Sequence, residues 1–412
     1  MQYAITKADK IIRGEITLPS SKSISNRILI INTLSYSPHL IENLSDSDDT
    51  KVMEDVLNSN TNHFNIGHAG TAMRFLTAFL SKIAGEWTLT GSERMQQRPI
   101  GILVDALRQL GASIEYSEKE GFPPLHILGT SLKGGIIELD GSISSQYISA
   151  LLMIAPTIQG GLTLKLMNQI TSKPYIDLTL ELMQQFGVQH TWNRNEIRID
   201  EQHYQPIKFS VEADWSGASY WYAMAALSDQ CDLLLKGLRL KSLQGDAIQA
   251  EWFHSYFAVD SVQEGNDVRL TKNNAPRPAK IEIDFIENPD IAQTFAVLAV
   301  CKNIPFHFKG LLTLKIKETD RIKALQNEIS KFGATLHEPV NGDLAWDGTL
   351  DQNLVNDPAV IKTYHDHRMA LSFAPAAMVY PQIIIEDPQV ITKSYPNYWE
   401  DLKRVGFGVS EI

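Results

Sequence analysis

One repeat constrains this chain more than anything else in it. Four amphipathic helical runs each end in glycine plus a small or apolar residue and then turn β-like: LVDALRQLGASIEY (103–116), LTLELMQQFGVQHTW (178–192), IKALQNEISKFGATLHE (322–338) and YWEDLKRVGFGV (398–409). A fifth, AEWFHSYFAVDSV (250–262), carries Ala258 where the others have glycine. The marker residues fall at 111, 187, 258, 333 and 406, so the spacing stays between 71 and 76. Glycine at such a point reads as a left-handed helix C-cap with a strand to follow. Each period also holds an earlier strand and helix, as in SQYISALLMIAP (145–156), so the unit reads β-α-β-α-β-β. A period of about 75 residues is too long for a solenoid. It suits a small α/β module used several times within larger lobes.

Composition limits what such lobes do. At 412 residues the chain exceeds one ordinary core. Its 43% hydrophobic and 21% charged residues fit a folded globular protein. A formal net charge of −11 argues against a nucleic-acid coat. It leaves room for small anionic substrates, which need only local positive charge. The two cysteines, Cys231 and Cys301, form no C-x-x-C motif and fit a reducing compartment. MQYAITKADKIIRGE has no apolar core of signal-peptide length, and the apolar stretch around Ala150–Pro156 is too short to span a bilayer. A cytoplasmic location is expected.

The charge that is present sits at helix starts. In LPSSKSISNRILIINTL (18–34), Lys22 and Arg27 lie among Ser20, Ser21, Ser23 and Ser25, ahead of an apolar run. Hydroxyls there either cap the helix or bind an anion beside the free N–H groups of the first turn. NIGHAGTAMRFLTAFL (65–80) repeats the device with Gly67, Gly70 and Thr71, but it lacks the P-loop lysine. SERMQQRPIGILVDAL (92–107) sets Arg94 and Arg98 before Pro99, a residue suited to the first turn of a helix. Ser144, Ser145 and Gln146 open another apolar helix; Ser172, Lys173 and Tyr175 open a third. These donors and acceptors suit a hydroxylated ligand bearing phosphate.

The second half adds carboxylates. Asp290 in ENPDIAQTFAVLA stands where an N-cap is expected. LKIKETDRIKALQNEI brings Lys317, Glu318, Asp320 and Arg321 within five residues; Glu318 and Arg321 have the spacing of a helical pair. A carboxylate between Lys and Arg is also how a proton-transfer group is held beside an anionic substrate. His365, Asp366 and His367 invite a metal, but no further ligands follow at zinc-site spacing, so no metal is expected. Arg368 before an apolar helix and Lys393 before Pro396 continue the anion theme.

In series, SKSISNR, AGTAMR, RPIGILVDAL, SSQ, SKPYIDLTL, PDIAQT, KETDR, HDHRMA and KSYPNY follow one another in an order that resembles the 5-enolpyruvylshikimate-3-phosphate synthase family, essentially end to end. The resemblance implies a two-lobed inside-out α/β barrel, each lobe built from three βαβαββ units. Residues 1–20 plus 214–412 would form one lobe and 21–213 the other, with the hinge near 20 and 213. It implies transfer of the enolpyruvyl group of phosphoenolpyruvate to the 5-hydroxyl of shikimate 3-phosphate, on the route to chorismate and the aromatic amino acids. Residue by residue, Lys22, Ser23, Arg27, Ser144, Ser145, Gln146, Ser172, Tyr175, Asp290 and Lys317 match shikimate 3-phosphate positions. Lys22, Gly70, Arg98, Gln146, Arg321, Arg368 and Lys393 match phosphoenolpyruvate positions. Asp290, Glu318 and Lys22 match the catalytic set.

Neither metal nor organic cofactor is implied, nor a nucleic-acid or membrane partner, and a monomer is the family form. The alternatives are the sister enzyme acting on UDP-N-acetylglucosamine, which uses a loop cysteine, and a non-catalytic binding homologue. Ser20, His68, Phe75 and Thr313 depart from the family pattern, and the first unit is short after VLNSN, as though it had lost its terminal hairpin.

Overall fold

The computed structural model describes residues 1–142, 144–276 and 278–412. In chain order, strands β1 (Gln2–Thr6) and β2 (Ile11–Thr17) precede helices α1 (Lys22–Leu34) and α2 (Asp48–Leu57). Then come β3 (His63–Asn65), α3 (Gly70–Lys82), β4 (Gly85–Thr90), α4 (Glu93–Gln96), α5 (Gly101–Gln109), β5 (Ser113–Tyr116) and β6 (Leu125–Gly129). β7 (Lys133–Asp140), α6 (Ser145–Ile154), β8 (Gln159–Met167), α7 (Lys173–Gln185), β9 (Thr191–Asn193) and β10 (Glu196–Ile199) repeat the plan. The next module has α8 (Trp215–Leu227), β11 (Gln230–Lys236), α9 (Gln249–Phe257), β12 (Val259–Glu264) and β13 (Asp267–Lys272). Another has β14 (Ile281–Asp284), α10 (Ala292–Cys301), β15 (Phe306–Lys309), α11 (Arg321–Ile329) and β16 (Leu344–Trp346). The last has β17 (Ala359–Ile361), α12 (His367–Phe373), β18 (Ile383–Glu386), α13 (Tyr398–Arg404) and β19 (Gly408–Glu411).

The chain forms two compact units, Met1–Ser20 with Glu212–Ile412, and Ser21–Val211. Inside Ser21–Val211 the sheets run β3-β4-β6-β5 and β7-β8-β10-β9. In each the first two strands are parallel and the hairpin folds back antiparallel. The other unit repeats this order as β2-β11-β13-β12 and as β17-β18-β1-β19. In the latter, β1 fills the slot that β6 and β10 fill elsewhere, so the two ends of the chain close one sheet. The sheet β14-β15-β16 has three strands, its fourth reduced to the bridges His337–Ala345 and Ala334–Leu350. The module of α1 and α2 keeps one bridge: Glu42 N–H donates to the Phe209 carbonyl at 2.9 Å, and Val211 N–H to the Glu42 carbonyl at 3.0 Å.

The repeat markers act as helix stops. Gly111, Gly187, Gly333 and Gly406 hold φ of +95°, +85°, +85° and +88°, and Ala258 takes the same left-handed turn at +56°. Helices α3 and α9 pack on strands of their sheets, α1, α6 and α7 pack against one another, and α8 and α10 are apolar nearly all round and almost wholly buried. Where α8, α10 and α12 meet, Ser219, Thr294 and Ser372 pass hydroxyl contacts at 3.0 and 3.3 Å, so these three buried hydroxyls satisfy one another. Among the described residues no helix is long and apolar enough to cross a membrane.

Three local expectations change. α5 starts at Gly101, so Pro99 lies outside it. Asp290 does not cap α10 with its side chain; it sits in a 3₁₀ turn, Pro289–Ile291, that precedes the helix. Glu318 pairs with Arg321 from the loop before α11, not from within the helix, and Asp320 is the cap.

Candidate active site

In the unit containing α10 to α12, the starts of these three helices converge on one charge cluster, held by Arg321. Its Nε donates to Asp366 Oδ2 at 2.6 Å, its Nη1 to Asp290 Oδ1 at 3.0 Å, and its Nη2 to Glu318 Oε2 at 2.8 Å. Arg368 Nη2 reaches Asp290 Oδ2 at 3.1 Å, Lys317 Nζ lies 3.5 Å from Asp290 Oδ1, and Lys393 Nζ donates to Glu318 Oε1 at 2.6 Å. Seven of the residues named from sequence, or their immediate neighbours, therefore share one set of ion pairs. Asp366 is also the N-cap of α12, accepting from the Arg368 backbone N–H at 2.9 Å.

Burial opposes charge on Asp290, but Arg368, Lys317 and Arg321 outweigh it and hold the carboxyl well below its usual range. Burial pushes the Lys317 ammonium down, against the pull of Asp290. Arg321 moves the other way: burial is outweighed by Asp366, Glu318 and Asp290, which raise it. All four cations thus face carboxylates of the same cluster in a poorly solvated site, where an anionic ligand meets strong fields.

In the unit Ser21–Val211 the starts of α1, α3, α6 and α7 converge. Ser21 caps α1, and Lys22 Nζ lies 3.4 Å from the buried Asp49 at the start of α2. Arg27, one turn on, is buried. It donates to Thr179 Oγ1 at 2.7 Å, Ser149 Oγ at 3.2 Å, the Tyr175 carbonyl at 3.2 Å and the Ser23 carbonyl at 2.8 Å. Its guanidinium stands over the Phe75 ring, 5.4 Å from the centroid, and burial lowers its pKa to about 10. Gln146 Nε2 donates to Thr71 Oγ1 at 3.2 Å, tying the start of α6 to that of α3. Ser144 caps α6 and Ser145 is buried beside it. Ser172 holds a left-handed φ of +52° at the head of α7, where Lys173 is drawn aside by Asp177 at 2.8 Å. At Gly70 a Cβ would stand 2.6 Å from Arg98 Nη1, so the missing side chain is what lets that guanidinium lie against α3. His68 meets Ser92 Oγ at 2.8 Å through Nδ1.

The sequence did not point to Asp366, Asp49, Ser149 or Thr179 as site residues, nor to the buried Asp246, which accepts from Ser216 and from Asn288 beside the Asp290 turn. Asp366 carried a signal, an acidic residue between two histidines, but it suggested a metal. Among the described residues no group of three or more His, Cys, Asp or Glu is placed to hold one.

The profile of the family described as EPSP synthase (3-phosphoshikimate 1-carboxyvinyltransferase) matches residues 6–61 and 54–402. A 3-phosphoshikimate 1-carboxyvinyltransferase from Bacteroides fragilis is 52% identical over 411 residues, covering 99% of each chain. One from Vibrio cholerae is 37% identical over 420 residues, covering 95% of this chain and 96% of the relative. The solved structure of EPSP synthase from Acinetobacter baumannii aligns with a TM-score of 0.79 over 100% of both chains at 20% identity, a likeness of fold. The fold is the two-lobed α/β architecture that the motif order implied.

Proposed function

The chain belongs to the EPSP synthase family, and on that footing we propose that it transfers the enolpyruvyl group of phosphoenolpyruvate to the 5-hydroxyl of shikimate 3-phosphate, releasing phosphate. The observation that carries the reading is the pair Asp290 and Glu318, two carboxylates held within one set of cations by Arg321. A site that only bound anions would gain nothing from two carboxylates there.

In this reading Lys22, Ser23, Arg27, Ser144, Ser145, Gln146, Ser172, Tyr175, Asp290 and Lys317 hold shikimate 3-phosphate. Lys22, Gly70, Arg98, Gln146, Arg321, Arg368 and Lys393 engage phosphoenolpyruvate. Asp290 takes the proton of the 5-hydroxyl as its oxygen attacks C2. Glu318 and Lys22 serve proton transfer at the methylene carbon and the bridging oxygen, and protonation of the methylene gives a tetrahedral adduct. Phosphate then departs with the electron pair of the C2–O bond while the same proton-transfer groups take a proton back from the new methyl group, restoring the carbon–carbon double bond as an enolpyruvyl ether. Lys22 and the arginines stabilise the charge on the leaving phosphate.

The charge cluster gives this chemistry a trigger. Asp290 is a poor base while Arg368, Lys317 and Arg321 face it. An incoming carboxylate and phosphate draw Arg321 and Arg368 onto themselves, and Asp290 regains basicity when both substrates are present.

The lobes at 1–20 with 214–412 and at 21–213 are supported by the compact units, whose limits lie within two residues of these boundaries. The UDP-N-acetylglucosamine reading is disfavoured: burial pushes both thiols, Cys231 and Cys301, up to about 12, unsuited to proton donation near neutrality. Two unpaired cysteines support a cytoplasmic setting, and the working form is taken as the monomer of the family. The test is phosphate release from phosphoenolpyruvate with each acceptor in turn. Release with shikimate 3-phosphate alone is expected; release with UDP-N-acetylglucosamine would overturn the reading.

A further inference from the structure

Two consecutive non-glycine residues, Tyr364 and His365, hold φ of +54° and +57°. This left-handed backbone is unfavourable for L-residues, and it persists only where surroundings impose it. The turn they make delivers Asp366, which holds Arg321, and Arg368, which meets Asp290. Behind the turn lies Glu328 on α11, 1% exposed.

Glu328 Oε1 accepts from the Tyr364 hydroxyl at 2.7 Å, and Oε2 from the Lys362 backbone N–H at 2.9 Å. Oε2 also accepts from Lys331, whose ammonium donates in turn to the Val360 carbonyl of β17 at 2.6 Å. Glu328 follows Arg321 by seven residues, two turns along one face of α11. The helix therefore grips the segment 360–366 twice: at the ligand end through Arg321 and Asp366, and two turns away through Glu328. Within the segment, Asp366 N–H donates to the Thr363 carbonyl at 2.8 Å and closes the turn.

We propose that Glu328 is a positioning residue for phosphoenolpyruvate: it imposes the left-handed turn at Tyr364 and His365, and so sets where Asp366 and Arg368 stand against Arg321 and Asp290. The proposal rests on the reading of Arg321 and Arg368 as phosphoenolpyruvate ligands. Without the clamp the turn relaxes toward ordinary backbone, and the arginine pair loses its alignment while the residues assigned to shikimate 3-phosphate in Ser21–Val211 are untouched.

Three variants test this beside the wild type: Glu328→Gln, Tyr364→Phe, and Glu328→Gln combined with His365→Gly. Glu328→Gln is expected to raise the KM for phosphoenolpyruvate between about ten- and a hundred-fold, the scale of a small misplacement, with the KM for shikimate 3-phosphate within about two-fold. Tyr364→Phe, which keeps the Lys331 ion pair, shifts it the same way by less and serves should Glu328→Gln fail to fold. His365 is exposed, and glycine adopts positive φ without steric cost, so adding His365→Gly should restore most of the lost affinity. A merely structural Glu328 would lower the melting temperature and leave the substrate constants of the folded enzyme alone. An active wild type with unchanged phosphoenolpyruvate constants in the folded variants, or no recovery with glycine, overturns the proposal alone. A wild type that releases no phosphate overturns the functional reading and the proposal with it.

Discussion

Arg321 Nε and Asp366 Oδ2 stand 2.6 Å apart, and Asp366 has no solvent exposure. The guanidinium is planar, so fixing one edge fixes the other two N–H groups toward Asp290 and Glu318. Removing one partner of a buried pair costs about 3–5 kcal/mol. Asp366→Ala should therefore lower stability to urea by an amount of that order and raise the KM for phosphoenolpyruvate at least about ten-fold. Asp366→Asn, which keeps a cap, should lose less.

Gly70 makes a sharper separation of binding from stability. A Cβ there meets the far end of the Arg98 side chain, not backbone, so the arginine moves and the fold does not. Gly70→Ala should raise the KM for phosphoenolpyruvate while the melting temperature changes little. Equal loss of both would mean that the glycine serves packing.

The pH dependence follows from two groups of opposite sign. Lys317 is lowered from 10.5 by burial, so it loses its proton earlier than a solvated lysine and should set an alkaline limb in kcat/KM below that value. Lys317→Arg should move the limb to higher pH. Asp290 is depressed below 3.8, so its contribution to stability is present above the unfolded carboxylate value and fades only as pH falls through its own lower value. Acid loss of kcat/KM above pH 4, which reports the enzyme before it binds substrate, then belongs to other groups, and Asp290→Asn should leave the position of that limb unchanged.

Asp290→Ala should reduce turnover by about 10²–10⁴ or more, the range for removing a general base, with shikimate 3-phosphate binding by calorimetry nearly intact. Near-normal turnover would remove Asp290 from the role given to it.

How far the sequence reaches depends on whether a feature is local. The left-handed stops at Gly111, Gly187, Gly333 and Gly406 were legible because glycine at a helix end has one common meaning, and Ala258 was legible through spacing alone. The slot that β1 fills between β18 and β19 was not, since it joins opposite ends of the chain. Asp290 read as a cap because acidic residues at helix starts are usually caps; the intervening 3₁₀ turn turns it instead toward Arg321 and Arg368. Asp366, Asp49 and Glu328 have partners far away in sequence, and nothing next to them signals what they hold. The reduced sheet of the module carrying α1 and α2 follows from a segment too short to return as a hairpin. Ser20 bridges Ala213 through its backbone, and nothing in the structure explains why serine stands there.

In the proposed reaction the C2–O bond of phosphoenolpyruvate breaks and its enolpyruvyl group moves to shikimate 3-phosphate. Phosphoenolpyruvate labelled with ¹⁸O at the bridging position, turned over with shikimate 3-phosphate and followed by ³¹P NMR and mass spectrometry, tests it directly. Labelled phosphate, an unlabelled enolpyruvyl ether, and no release without the acceptor are expected. Label retained in pyruvate, or phosphate released without shikimate 3-phosphate, would contradict it.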